Sequence, residues 1–341
     1  GSRMKTATLV VVGTLIVGTA CDEAATGPDM GRGRDATRRS VAVVPPDPQL
    51  SNTVDTDRDG LPDTEEEILL RQFRPYWYFD GQEFIFPISI AQWGLATGSI
   101  SQGSSRIPYN NLYTLRNAAL SLSGGVMKPT EFFIVGNRED DAPVYVDAVP
   151  MPESFSVGGK NKLVWLHYYL FFGDDAKLIL WPNGLRHRGD WEHICMLVER
   201  SAAGIRQRPP VRLHFHHHGD LDVSSAAYAW HTDYWGHKHP RVYVEAGAHG
   251  MYRNPGRGPV GPHNSNAGSP DDPLDNPLRF MVSHWSTRFG SARDESEILQ
   301  RFRGKWGDSG GSPKGPLQYN NSCDHDYVKR PKSFSFRLSD C

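Results

Sequence analysis

Apolar positions first gather in one run, Ala7 to Val17, behind a single basic residue, Lys5. Such a run is too short to span a bilayer and has the length of a signal-peptide core, so it predicts an exported chain. Gly1, Ser2 and Arg3 stand ahead of Met4 and read as an artificial extension, which leaves residues 4–20 as the signal peptide. From Asp22 to about Leu50, Gly, Pro, Ala and Arg recur without a periodic apolar face, and residues 21–50 are expected to be a disordered tether. The pattern turns helical over Glu65 to Phe73, with Ile68, Leu69 and Phe73 on one side and Pro75 as the stop. Beyond Arg74 the apolar runs are short and aromatic or β-branched: Tyr76 to Phe79, Phe84 to Phe86, Val144 to Val146, Leu163 to Phe172, Ile194 to Val198, Val211 to Phe215 and Val242 to Val244. They predict a mainly β domain over residues 74–341, a β-sandwich or open barrel with long loops. Asn117 to Leu122 suggests a short helical segment, and Asn254 to Asn276 a surface loop.

Charge and cysteines narrow the classes. The formal net charge is -2 and no basic stripe stands out, which argues against a nucleic-acid partner. No later apolar stretch is long enough to cross a membrane, so membrane contact is expected through a lipid or the surface. The signal run closes on Gly18-Thr19-Ala20-Cys21, which resembles a lipoprotein signal with Gly18 where that family has Leu, Val or Ile. Lipidation of Cys21 would make the product a membrane-anchored lipoprotein; cleavage after Ala20 would leave it periplasmic or secreted. Of the four cysteines, Cys195 sits in an apolar run and reads as a small buried side chain. Cys323 and Cys341 remain, and a disulfide between them is expected to pin a C-terminal strand, Ser333 to Leu338, by about 3 kcal/mol.

The segment Asp55-Thr56-Asp57-Arg58-Asp59-Gly60-Leu61-Pro62-Asp63-Thr64-Glu65-Glu66 has the spacing of a calcium loop. Asp55, Asp57, Asp59 and Asp63 take alternate ligand positions, Leu61 offers its carbonyl, Gly60 makes the sharp turn and Glu66 binds at the end. It resembles the EF-hand loop over these residues alone. No amphipathic entering helix precedes it, so it is more similar to the solitary loops of dockerins and thrombospondin repeats. Loop and helix together occupy residues 51–73, and calcium there is expected to act as a structural staple.

A second chemical centre is His187-Arg188-Gly189-Asp190-Trp191-Glu192-His193. On a strand, Asp190 and Glu192 share one face, their carboxylates about 7 Å apart, while Trp191 and His193 share the other. With His187 near, this predicts a hard-cation or acid/base centre, a possible second divalent cation. An alternative pairs the two acids with Arg186, Arg188 or Arg212 in an ion-pair network. The pattern His187-x-x-Asp190-Trp191-Glu192-His193, then Pro240-x-Val242-Tyr243-Val244-x-Ala246-x-Ala248-His249-Gly250-Met251-Tyr252, then Phe302-Arg303-Gly304-Lys305-Trp306-Gly307, resembles the vacuolar protein sorting-associated protein 62 family. Phe73-Arg74-Pro75 through Glu83 and Pro87 fits that family's N-terminal end. More weakly, the heptad resembles the Gly-His-Arg-His-Asp-Trp-Glu motif of necrosis- and ethylene-inducing-peptide-like toxins, which helps hold a divalent cation in a β-sandwich. That resemblance implies His187, Asp190 and Glu192 at the metal, with His249 in a matching His-Gly-x-Tyr segment. Arg186 and Gly189 depart from the motif, and only Asp174 or Asp175 answers loosely to the toxin's upstream acid.

The run His214-x-His216-His217-His218 puts His214, His216 and His218 on one strand face, a geometry open to a transition metal, with His217 on the other. His231, Asp233, His237 and His239 fall in an aromatic-rich loop. Two function classes follow. In the first, the protein is a cation-dependent binding module for a surface glycan or lipid headgroup, with His217, His218, Trp230, Tyr234 and Trp235 at the ligand. In the alternative it is a metal-dependent hydrolase in which Glu192 or His249 moves protons. The absence of a nucleophile elbow, a zincin helix or a phosphate loop favours the binding module.

Overall fold

The structure is a computed structural model. It describes residues 54–55, 60–80, 83–130, 134–136, 142–151, 162–175, 187–200, 210–217, 220–224, 230–232, 238–257, 262–263, 280–282, 290–307 and 312–315. The signal, the tether, Cys323, Cys341 and the expected strand at Ser333 to Leu338 lie outside them. In chain order the elements are α1 (Asp63–Gln72), β1 (Tyr76–Phe79), α2 (Ile90–Leu95), β2 (Gly98–Gln102), β3 (Ser105–Tyr109), α3 (Leu112–Ser121) and β4 (Val126–Pro129). There follow β5 (Val144–Pro150), β6 (Lys162–Asp175), β7 (His187–Arg200), β8 (Arg212–His217), β9 (Asp220–Ser224), β10 (Trp230–Thr232) and β11 (Lys238–Val244). The short β12 (Met251–Tyr252), β13 (Gly256–Arg257), β14 (Pro262–His263) and β15 (Phe280–Val282), then α4 (Gly290–Arg301), complete the order. The fold is mainly β, as expected, and its described sheets form no closed barrel.

A six-stranded sheet, in the order β15-β5-β6-β7-β8-β9, is the middle layer. Its central pair, β6 and β7, is a long antiparallel ladder from Lys162 opposite Arg200 to Asp175 opposite His187. Both faces are buried, which is why β6 reads as nearly continuous apolar residues rather than as alternation. On one face Val146, Leu166, Leu170, Ile194, Met196 and Phe215 pack against Trp77, Phe79, Val242, Val244 and Met251 of the sheet built on β1 and β11, and against Leu69, Leu70 and Phe73 of α1. On the other, Tyr145, Tyr169, Phe171 and Trp191 meet Trp93 of α2, Leu115 and Ala118 of α3, Ile298 and Leu299 of α4, and Phe302 and Trp306. Burying aromatic and aliphatic side chains of this size contributes roughly 1.5–3 kcal/mol each. Two packed sheets with a helical layer outside them make a β-sandwich-like arrangement.

Several expectations are corrected. Phe84 to Phe86 is not a strand, because the side chain of Glu83 accepts from the amides of Phe84 and Ile85 at 2.8 and 2.7 Å, and only Phe86 makes a β-bridge, to Gly136. The buried side of α1 carries Asp63, Glu66, Leu69 and Leu70, with Phe73 buried just past its end, so Leu70 rather than Ile68 is fully covered. The weak helix at Asn117 to Leu122 is the end of α3, whose start is fixed by reciprocal hydrogen bonds between Asn111 and Thr114. His231 and His239 pair across β10 and β11 instead of lying in a loop. Part of the supposed loop at Asn254 to Asn276 pairs as β13 and β14. Cys195 is buried as expected, yet it is disulfide-bonded, and the other cysteines all lie outside the described residues. Among the described residues no helix is long and apolar enough to cross a membrane.

Candidate cation and ligand site

The end of the β6–β7 pair nearest its connection, where Asp175 stands opposite His187, carries the heptad. Strand alternation holds from Asp190 onward: Ile194 and Met196, in phase with Asp190 and Glu192, enter the sandwich core, while Trp191 joins the helical layer. Just before Asp190, Gly189 departs from extended backbone at φ +65°, while the ladder keeps one register from Asp190 opposite Phe172 to His187 opposite Asp175. A side chain there would place its Cβ 2.0 Å from the carbonyl oxygen of Trp306, so glycine is required on two grounds. His187 stands directly opposite Asp175 in the ladder, and its Nε2 lies 3.1 Å from Oδ2 of Asp175 while Nδ1 meets the carbonyl of Gly189 at 3.2 Å. Asp175, a loose candidate from the sequence, therefore stands beside the heptad.

His249 arrives from a tight turn after β11. Its amide donates to the carbonyl of Glu245 at 2.8 Å, and its own φ is +59°, the single positive value for a non-glycine among the described residues. Such a conformation costs on the order of 1–3 kcal/mol and is held by its surroundings. The ring stacks on Phe172 at 3.7 Å and 3°, and Nδ1 lies 3.0 Å from Oδ2 of Asp190. Its Nε2 is 3.9 Å from Glu83, whose Oε2 also accepts from the amide of Gly247 at 3.0 Å. Tyr252 donates its hydroxyl to Glu245 at 3.1 Å and stacks on His217 at 4.5 Å, which brings an aromatic pair to the edge of the cluster.

The electrostatics are those of crowded acids. Burial, then the charges of Asp190, Asp175 and Glu245, push the Glu192 carboxyl well above its ordinary range. Burial alone would lower His249, but its hydrogen bond to Asp190 and the charges of Glu83, Asp190 and Asp175 outweigh it, and its pKa is raised. His187 is raised in the same way, burial being outweighed by Asp175 and Asp190. Among the described residues no arginine is paired with Asp190 or Glu192: Arg188 donates to the carbonyl of Pro129 and Arg200 to Glu65. Oxygen donors from Asp175, Asp190 and Glu192 with the imidazole of His187 suit a hard divalent cation. Glu83, Glu245 and Tyr252 were not singled out in the sequence, although the acid four residues before His249 was the available signal.

The remaining candidates divide. In the loop ahead of α1, Oδ2 of Asp55 accepts from the amide of Gly60 at 2.9 Å, Gly60 adopts φ +95°, and Leu61, Asp63 and Glu66 are buried. Asp57 and Asp59 lie outside the described residues. His214 and His216 share the far face of the six-stranded sheet with His193, away from His217, as alternation requires. Trp230 stands in β10 opposite Pro240. His218, Asp233, Tyr234, Trp235 and His237 lie outside the described residues.

No protein-family profile and no curated protein matches this chain. Solved structures do. One, described as "NLPPya in complex with mannosamine", is 15% identical with a TM-score of 0.39, covering 80% of this chain and 91% of its own. Another, described as "Toxin fold for microbial attack and plant defense", is 14% identical with a TM-score of 0.37, covering 79% and 90%. The toxin description agrees with the weaker of the two sequence resemblances, and neither structure concerns the vacuolar sorting family. At these scores the likeness carries no weight in the chemistry, which rests on the residues of the site.

Proposed function

We propose that the protein is a cation-dependent binding protein for a surface glycan or a glycosylated lipid headgroup. The observation that carries this reading is the crowding of acids at one end of β6 and β7: Asp175 lies beside His187, Asp190 beside His249, and Glu192 is pushed up by burial and the charges of Asp190, Asp175 and Glu245, with no arginine paired with it among the described residues. A divalent cation there relieves that repulsion and leaves coordination positions for sugar hydroxyls. The His217–Tyr252 pair beside it offers a flat aromatic face of the kind that sugar rings stack on. Calcium in the loop from Asp55 to Glu66 acts as a separate staple for α1, supported by the Asp55–Gly60 turn. Export, and a membrane anchor through a lipid on Cys21, belong to the same proposal and rest on the sequence signal alone.

The test is calorimetric. Calcium titrated into chelator-treated protein should bind at the hairpin site, and a panel of immobilised glycans should then be retained in calcium and released by chelator. Glycan retention unchanged in chelator would overturn the reading. Release of sugar from the panel, abolished in Glu192→Gln or His249→Asn, would replace it with the metal-dependent hydrolase.

A further inference from the structure

The far face of the six-stranded sheet carries four imidazoles side by side. The register sets Tyr169 opposite His193, His167 opposite Cys195, and Cys195 opposite His214. His193 and His216 stack at 3.8 Å and 21°, and Sγ of Cys195 lies 3.7 Å from Nε2 of His216. One ligand atom from each of His193, Cys195 and His216 lies within 4.8 Å of the others, and all three residues are buried. In a tetrahedral site with metal–sulfur near 2.3 Å and metal–nitrogen near 2.05 Å, sulfur and nitrogen ligands stand about 3.6 Å apart. The Cys195–His216 pair already has that spacing.

An ordinary core explains this cluster poorly. The flanking positions on the same face, Trp165 and Leu197, are apolar, and each buried imidazole carries polar nitrogens that an aliphatic side chain would spare the fold. Imidazole with thiolate is a borderline-soft donor set, unlike the carboxylates on the opposite face of β7.

We propose that His193, Cys195 and His216 form a three-ligand site for a borderline transition-metal ion of the Zn2+ class, open when the Cys195 disulfide is reduced. Disulfide and metal are alternatives, because the sulfur serves one or the other. A phosphine reductant opens the site: the S–S bond becomes two thiols, the phosphine becomes its oxide, and water supplies the oxygen and both protons. On metal binding the Cys195 thiol releases its proton to solvent.

The experiment uses the full chain with calcium in excess, so that hard sites are filled, and Co2+ as the probe. Reduced wild type should bind one equivalent of Co2+ with a thiolate-to-cobalt charge-transfer band in the near ultraviolet and intense visible bands of a tetrahedral ion. Unreduced wild type should lack the charge-transfer band, a comparison that needs no variant. His216→Ala should weaken Co2+ binding roughly tenfold or more, Cys195→Ser should abolish the band, and Glu192→Gln should leave it unchanged. No charge-transfer band in reduced wild type, or a band that survives Cys195→Ser, would overturn the assignment. Cobalt binding without a charge-transfer band, lost in Glu192→Gln but kept in Cys195→Ser, would instead place the ion at the hairpin end and overturn the assignment.

Discussion

Nδ1 of His249 lies 3.0 Å from Oδ2 of Asp190, and the same ring lies flat on Phe172 with centroids 3.7 Å apart. The contact joins a turn after β11 to the connected end of the β6–β7 hairpin, and it ties the charge state of that end to pH. His249 and His187 are both raised above their ordinary value of 6.5, so each contributes stability that is full below about pH 6.5 and fades as pH rises through the folded value. Glu192 is raised above 4.5 and acts in the same direction. Cation-free protein should therefore melt at falling temperatures as pH climbs from about 5 to 8.5, while the gain from added calcium grows over the same window. Thermal melts with and without chelator across that range decide it. A flat chelator curve would show that these groups do not titrate with folding.

Glu192→Gln removes one charge from the crowded cluster. Cation-free stability should hold or rise slightly, because a repelled carboxylate is replaced by a neutral isostere. The increment from calcium at the hairpin site, about 2.7 kcal/mol at a hundredfold excess over Kd, should largely vanish. Denaturant titrations of both proteins, with the loop site filled or deleted, read the two quantities separately.

In the loop ahead of α1, Asp55→Ala removes both a proposed calcium oxygen and the acceptor for the Gly60 amide. Its melting temperature should fall by several degrees in calcium and should differ much less from wild type in chelator. Equal melts of the two proteins across a calcium titration would refute the staple.

Gly189→Ala should cost roughly 3 kcal/mol or more. Its φ of +65° carries about 1–2 kcal/mol of strain for an L-residue, and the new Cβ would overlap the Trp306 carbonyl. Gly103→Ala supplies the comparison, since Gly103 has φ +57° but open space around it, and should cost only about 1 kcal/mol. Chemical denaturation midpoints of the pair separate backbone strain from packing.

What was legible in the sequence followed from local rules. The alternation from Asp190 to Val198 fixed which side chains share a face, because β7 is straight and buried on both sides. The acidic loop pattern pointed to a helix at Glu65 to Phe73, and α1 begins two residues earlier, at Asp63. The opposite was true where side chains override the pattern. Phe84 to Phe86 has strand composition, but Glu83 takes two of its amides. β2 and β3 are polar and short, so their pairing of Ile100 with Ile107 left no periodic trace. α4 became visible only with its partners, since Glu295 accepts from Ala91 and from Tyr145 across more than a hundred residues of chain. The site shows the same division. His187, Asp190 and Glu192 are local in sequence, whereas Glu83 and Glu245 come from elements that only the sandwich brings near.

Arg200 ends β7 and forks onto Glu65, the neighbour of Glu66 on α1, whereas Asp190 stands near the strand's other end. Ten residues of extended chain separate them by roughly 33 Å. That is several times the screening length of about 8 Å in physiological salt. Over that distance a charge at one end acts only weakly on the other. The two proposed hard-cation positions should fill as independent events, and deleting both should cost the sum of the single losses to within about 0.5 kcal/mol.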